Sequence, residues 1–119
     1  LKNVIAVGLG GLVGSLLRYG ISMLSKSNYF PLGTFLVNII GSFIIGCVFA
    51  YSIKHPQFST EYKLLLGTGI CGGFTTFSTF SLEAVQMLQQ QRYQQFFIYI
   101  TASLLLGFLA TFAGVNAIK

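Results

Sequence analysis

The fold class this sequence predicts is an all-α membrane protein, and three observations predict it. Hydrophobic residues make up 54% of the chain and charged residues 8%, against roughly 25% charged in ordinary soluble domains. Four apolar stretches dominate the 119 residues, and a spanning helix needs about 20 apolar residues. The connections between these stretches are too short to hold a soluble domain. Together they predict a single four-helix transmembrane domain over residues 1–119.

The stretches are Val4 to Leu24, Leu32 to Ile53, Leu64 to Leu88 and Phe96 to Ile118, with helices expected over about 4–24, 32–53, 62–88 and 95–118. The first has Lys2 in front, as a secretory signal would. It is interrupted by Arg18, runs longer than a signal core and has no small-residue cleavage pattern after it, so it reads as a retained span. Gly8, Gly10, Gly11 and Gly14 along it, and Gly41 and Gly46 in the second stretch, fit close helix packing of the small-xxx-small kind. Between the second and third stretches, Lys54 to Lys63 carries a helix stop at Pro56 and a capping-box pattern in Ser-Thr-Glu. Ser25-Lys-Ser-Asn and Gln89-Gln-Gln-Arg are polar hinges.

Charge supports membrane topology rather than nucleic-acid binding. The net charge is +5, but the seven basic residues are scattered, with no cluster to track a phosphate backbone. With four spans, Lys2, Lys54, Lys63 and Lys119 share one side, and Lys26 and Arg92 share the other, with Arg18 nearer that end. So weak a positive-inside bias is compatible either with one orientation or with insertion in both. The second option would allow an antiparallel homodimer. Cys47 and Cys71 lie in apolar spans without metal-ligand spacing and read as packing residues, and His55 reads as a solvated loop histidine. Paired carboxylates, a Ser-His-Asp set and a phosphate loop are all missing, so an enzyme is not expected.

The third stretch carries the chemistry. Residues 71–81 read Cys-Gly-Gly-Phe-Thr-Thr-Phe-Ser-Thr-Phe-Ser. Non-helical backbone and clustered polar side chains survive at bilayer depth only where protein or a water-filled path surrounds them. An unwound turn at Gly72-Gly73 would expose carbonyls, the usual ligands of a small cation at a broken membrane helix. The hydroxyls of Thr75, Thr76, Ser78, Thr79 and Ser81 and the same-face rings of Phe77 and Phe80 follow at once. An aromatic ring has a positive edge, which in a dry site attracts a small anion; packing is the alternative. Asn38 puts two amide donors inside the second span, for an anion or for an inter-helix hydrogen bond. Arg18 is costly at bilayer depth and fits either an electropositive vestibule or an interfacial anchor. Glu83 would bind a cation, carry protons or pair with a basic group such as Arg18. Tyr99, Thr101 and Ser103 give the fourth span a polar element for the same path. One protomer of four thin helices is too small to surround an ion, so a dimer is expected.

The segments Gly-Gly-Leu-Val-Gly-Ser-Leu-Leu-Arg-Tyr at 10–19, Gly33-Thr34-Phe-Leu-Val-Asn38-Ile-Ile-Gly41-Ser42-Phe-Ile-Ile-Gly46, and Gly72-Gly73-Phe-Thr75-Thr-Phe77-Ser-Thr-Phe80-Ser-Leu-Glu83 resemble, in order, motifs of the CrcB/Fluc fluoride channels. The resemblance covers nearly the whole chain. It implies a dual-topology antiparallel homodimer in a prokaryotic inner membrane, with two pores passing fluoride passively out of the cell and the third helix broken near Gly72–Thr75. It assigns Phe77, Phe80 and Asn38 to the fluoride path, and Gly72 and Thr75 to a central structural sodium held by backbone carbonyls. Arg18 matches a vestibule arginine, Glu83 an acidic residue near the pore, and Tyr99 and Ser103 path-facing positions of the fourth span. Where some relatives carry a further hydroxyl, this chain has Gly107. The main competing class is a four-span drug/proton antiporter, which needs a membrane carboxylate, typically in the first span. The first span here offers Arg18 instead. A non-transporting assembly subunit explains the glycines but not the hydroxyl-phenylalanine run.

Overall fold

The structure is a computed structural model that describes residues 1–24 and 30–118. The Ser25-to-Asn28 hinge, Lys26 and Lys119 lie outside the described residues. The described chain is helical throughout, without strands. Helix α1 runs Lys2–Leu24, α2 Leu32–Lys54 and α6 Tyr93–Ala117, and all three are long and apolar enough to cross a membrane. The remaining expected span is divided. It begins with a short α-helical turn, α3 (Thr60–Lys63), and continues as a π-helical segment, Leu64–Cys71. A final turn, α4 (Gly72–Phe74), ends it, and after the extended pair Thr75-Thr76 the chain resumes as α5 (Phe77–Gln89).

Local chemistry fixes the ends of these elements. Helix α2 stops at Lys54, where the His55 N–H still reaches the Tyr51 carbonyl before Pro56 ends the ladder. Ser59 caps α3 by accepting the Tyr62 N–H at 3.2 Å, with Glu61 in the first turn beside the positive end of the helix dipole. The residue three places after that cap is Tyr62, so the expected capping box is only half made. The turn between α5 and α6 holds Gln91 at φ 58°, a left-handed conformation costly to any side chain with a Cβ. Arg92 beside it bonds the Gln95 and Gln90 side chains. His55 is not the freely solvated histidine its sequence position suggests, because its ring stacks on Tyr51 at 4.1 Å.

Packing joins helices that are not neighbours in sequence into two parallel pairs, α1 with residues 60–74 and α2 with α6. Glycine makes both possible. A Cβ on Gly73 would stand 2.7 Å from the Gly11 carbonyl oxygen, and one on Gly14 would stand 2.8 Å from the Phe74 nitrogen. In the second pair, a Cβ on Gly46 would meet the Val115 nitrogen at 3.0 Å and the Gly114 Cα at 3.2 Å. These are main-chain atoms that cannot swing aside. Close approach of this kind replaces the hydrophobic driving force that is absent between helices in lipid. Gly8 and Gly11, by contrast, face open space.

The chain buries little of its apolar surface. Among the described residues only Val37, Cys71, Phe74, Ala84, Met87 and Tyr99 form a buried hydrophobic core, while large apolar side chains lie exposed along every long helix. Soluble monomers rarely expose apolar patches larger than a few hundred Å². A surface like this belongs in lipid or against another membrane chain.

Candidate functional site

The break in the third span lies three residues later than the glycine pair suggests. Gly72 and Gly73 remain helical, and the extended residues are Thr75 (φ −86°, ψ 158°) and Thr76 (φ −151°, ψ 119°). Gly73 is spent on the approach to α1 described above, so the glycines serve packing while the threonines carry the unwinding. β-branched Thr suits extended backbone, and its hydroxyl can replace the bonds a helix would have made.

Side chains take over the backbone bonds at this point. Asn38 on α2 holds Thr76 from both sides: its Oδ1 accepts the Thr76 N–H at 2.8 Å, and its Nδ2 donates to the Thr76 carbonyl at 3.2 Å. The Thr76 hydroxyl caps α5 by accepting the Thr79 N–H at 3.2 Å, and lies 3.3 Å from the Ser78 hydroxyl. Arg18 on α1 donates from Nε to the Gly73 carbonyl at 3.0 Å, putting a cation at the negative end of the first half-helix. The inter-helix alternative for Asn38 is therefore observed, with one amide N–H beyond the clamp. Arg18 is thereby tied to the backbone at the end of α4. Its remaining guanidinium nitrogens make no hydrogen bond among the described residues.

This rerouting has a consequence for Gly72 and Thr75. In an unbroken helix the Gly72 carbonyl would receive the Thr76 N–H and the Thr75 carbonyl the Thr79 N–H. The first donor goes to Asn38 and the second to the Thr76 hydroxyl. Cys71, one residue earlier, keeps its helical donor and gains another, since both N and Oγ1 of Thr75 donate to its carbonyl at 3.0 and 2.9 Å. The two carbonyls that the sequence singled out are thus deprived of their helical donors. A recess of about 380 Å³ adjoins them, with Asn38, Gly41, Gly72, Thr75, Thr76 and Phe77 in its lining. Carbonyl oxygens are hard ligands that suit an alkali cation rather than a transition metal, and the one thiol in the lining, Cys71, has no imidazole or carboxylate beside it there. The residues present therefore fit a sodium ion in donor chemistry, although one chain supplies few ligands. No group of three His, Cys, Asp or Glu side chains suited to a metal occurs among the described residues.

Below the break the rings form a ladder. Phe77 and Phe80 lie 5.9 Å apart between centroids, and Phe80 lies 5.0 Å from Tyr99. Phe77 is 78% exposed, whereas Tyr99 is fully buried. The Tyr99 hydroxyl donates to Glu83 at 3.0 Å, and the Thr34 side chain hydrogen-bonds the same phenol. Glu83 therefore pairs with Tyr99 and not with Arg18. Ser103, one helical turn beyond Tyr99, has a buried hydroxyl with no partner among the described residues. Thr101 is exposed on another face of α6 and does not join this line. Thr76, one of the clustered hydroxyls of the third stretch, is the pivot of the break. One contributor had no role assigned from the sequence. Thr34 is the buried partner of Tyr99, and its signal was a hydroxyl in an otherwise apolar helix.

Fold and site together define an all-helical membrane protein in which one span is interrupted and polar groups from four helices meet at or near the interruption. The sequence profile of the family described as "CrcB-like protein, Camphor Resistance (CrcB)" matches residues 5–115. The chain belongs to this family. Among its relatives, a "Fluoride-specific ion channel FluC" of Oceanobacillus iheyensis is 43% identical over 98% of this chain and 91% of its own length. Proteins of the same name from Leptospira interrogans and Gloeothece citriformis are 44% and 47% identical, over 99% and 98% of this chain and 95% and 97% of their own lengths. These relatives are named as ion channels, not as enzymes.

Proposed function

We propose that this chain is a fluoride-selective channel that lets the anion flow passively out of the cytoplasm of a prokaryote, across the inner membrane. The observation that carries the reading is the nearly full-length similarity to relatives named as fluoride-specific channels, on a chain whose break leaves donors facing the recess. Fluoride is small and tightly hydrated, so a path must replace its water with several donors at once. The amide N–H of Asn38 beyond the clamp and the Ser78 hydroxyl are such donors, and the outer nitrogens of Arg18 offer charge nearby. Thr79 belongs to the same turn. The edges of Phe77 and Phe80 supply weak positive potential where donors are sparse. The unpartnered Ser103 hydroxyl supports this reading. An orphaned buried hydroxyl costs about 1–3 kcal/mol and is understandable where a passing ion or water is its partner. Tyr99 and Glu83 would flank the same track.

The working unit in this proposal is a dual-topology antiparallel homodimer of four-span subunits with two pores. The 78% exposure of Phe77 supports it, since a ring proposed to line a path needs a second wall. Sodium, when bound between the subunits, would supply a fixed positive charge and a cross-link. The Gly72 and Thr75 carbonyls would hold it in each subunit.

The test is flux from liposomes containing the purified full chain, measured with fluoride- and chloride-sensing electrodes. Fluoride is expected to leave and chloride to stay behind by orders of magnitude; equal permeability would sink the assignment. Phe77→Ile and Phe80→Ile should each cut fluoride flux while the dimer still purifies. Phe74 is buried in the core, so Phe74→Ile should act mainly on stability. Equal loss of flux per folded protein at all three positions would assign the rings to packing.

A further inference from the structure

Two helix stripes far from the break face one another across a groove at the end of the molecule where α1 begins and α3 starts. On α1 the lining residues are Lys2, Ile5, Ala6 and Leu9, spaced i, i+3, i+4 and i+7 and hence on one helical face. Across from them stand Glu61, Tyr62 and Leu65, with Ser59 at the mouth, and the groove encloses about 400 Å³. Each stripe has its charge at the outer end and its apolar residues toward the membrane interior. Lys2 and Glu61 line the same groove with opposite charge, yet neither has an ion-pair partner among the described residues. Ser59 Oγ accepts the Tyr62 N–H and keeps its own proton to donate. Ile5, Leu9 and Tyr62 are at least half exposed.

We propose that this groove seats a zwitterionic phospholipid whose headgroup ends in a primary ammonium, that is, a phosphatidylethanolamine. The phosphate would lie by Lys2 and the Ser59 hydroxyl, the ammonium by Glu61, and one acyl chain along Ile5, Leu9 and Leu65. Charge complementarity selects this occupant. An anionic phosphatidylglycerol would satisfy Lys2 but be repelled by Glu61. A trimethylammonium headgroup carries the charge but no N–H to donate to the carboxylate. The volume lies in the range of small-molecule sites, roughly 300–1,000 Å³.

The experiment exchanges the full-length protein into equimolar phosphatidylethanolamine, phosphatidylcholine and phosphatidylglycerol, then counts retained lipids by native mass spectrometry after washing. The wild-type chain should enrich phosphatidylethanolamine about two- to five-fold, the range expected of exposed ion pairs. Glu61→Gln should abolish that enrichment. Glu61→Lys, which makes the groove dicationic, should turn the preference toward phosphatidylglycerol, and Lys2→Ala should lower retention of all three. Far-UV circular dichroism and size exclusion matched to wild type exclude misfolding as the cause. Equal retention of the three lipids would overturn the proposal. So would an enrichment that Glu61→Lys leaves unmoved, or a groove retaining no lipid because a second copy covers it. Fluoride flux plays no part in these readouts, so the test is independent of the proposed function.

Discussion

The two parallel helix pairs begin from the same device and end differently. In the α2–α6 pair, Gly46 and Gly114 bring two helices into backbone contact, and both run on without interruption. In the α1 pair, Gly10, Gly14 and Gly73 do the same, but the second member is π-helical and stops at Phe74. What separates them is the fate of the backbone polar groups. The first pair keeps its helical bonds, while the second surrenders several to Arg18, Asn38 and the Thr76 hydroxyl. Close glycine packing is therefore a generic way to assemble a membrane bundle. Chemistry is found where side chains stand in for the helix's own donors.

The sharpest way to break this comparison is to remove Asn38. Asn38→Ala leaves both polar groups of Thr76 unpaired, at about 1–3 kcal/mol per orphaned group, and should abolish fluoride flux. Asn38→Asp in its neutral form both donates and accepts, restoring the two Thr76 bonds without the second N–H. Thermal stability should then recover while flux does not. If both recover together, Asn38 is only a clamp.

A smaller effect sharpens the contrast between the seams. Gly46→Ala and Gly73→Ala each push a methyl onto main-chain atoms, with overpacking costs of about 1–3 kcal/mol, and melting temperatures should fall for both. Flux per folded protein should fall only for Gly73→Ala, since Gly73 also carries the carbonyl that Arg18 holds. Gly8→Ala faces open space and serves as the neutral control. Loss of flux per folded protein in Gly46→Ala would erase the distinction.

How much of this was legible in the sequence follows from the range of each interaction. Helix length and apolarity are local properties, so three continuous spans could be read directly, as could the Ser59 cap and the stop before Pro56. The break was legible to within a few residues, because glycines and threonines cluster there. Its placement was not. Gly73 is held helical by α1, and Thr76 is held extended by an amide 38 positions away in sequence. The partner of Arg18 lies 55 positions away and is a carbonyl, which no residue pattern reports. Glu83 illustrates the same limit. Its charge suggested a basic partner, and the fold supplied Tyr99. The π-helical stretch had no signal at all, since its eight residues, Leu-Leu-Leu-Gly-Thr-Gly-Ile-Cys, would wind equally well as an ordinary α-helix.

The mildest prediction leaves both seams alone. Gln91→Gly relieves a left-handed backbone strain of roughly 1 kcal/mol or more, partly offset by the greater flexibility of glycine in the unfolded chain. A small rise in melting temperature with unchanged flux is expected. A drop would mean that the Gln91 side chain contributes to the turn.

The π-helical segment Leu64–Cys71 makes part of this chain a counted length. Loops absorb insertions and deletions because nothing downstream depends on their register, but a helix passes every added or lost residue on as a rotation, about 100° in an α-helix and somewhat less in the wider π turn. One residue removed between Leu64 and Cys71 would turn Gly73 away from α1, and with it the carbonyl that Arg18 holds. Variation among natural homologues should therefore leave the length of this segment alone while the connections lengthen and shorten. A one-residue deletion scan of the chain would register the same constraint as a sharp dip in folded yield between residues 64 and 74.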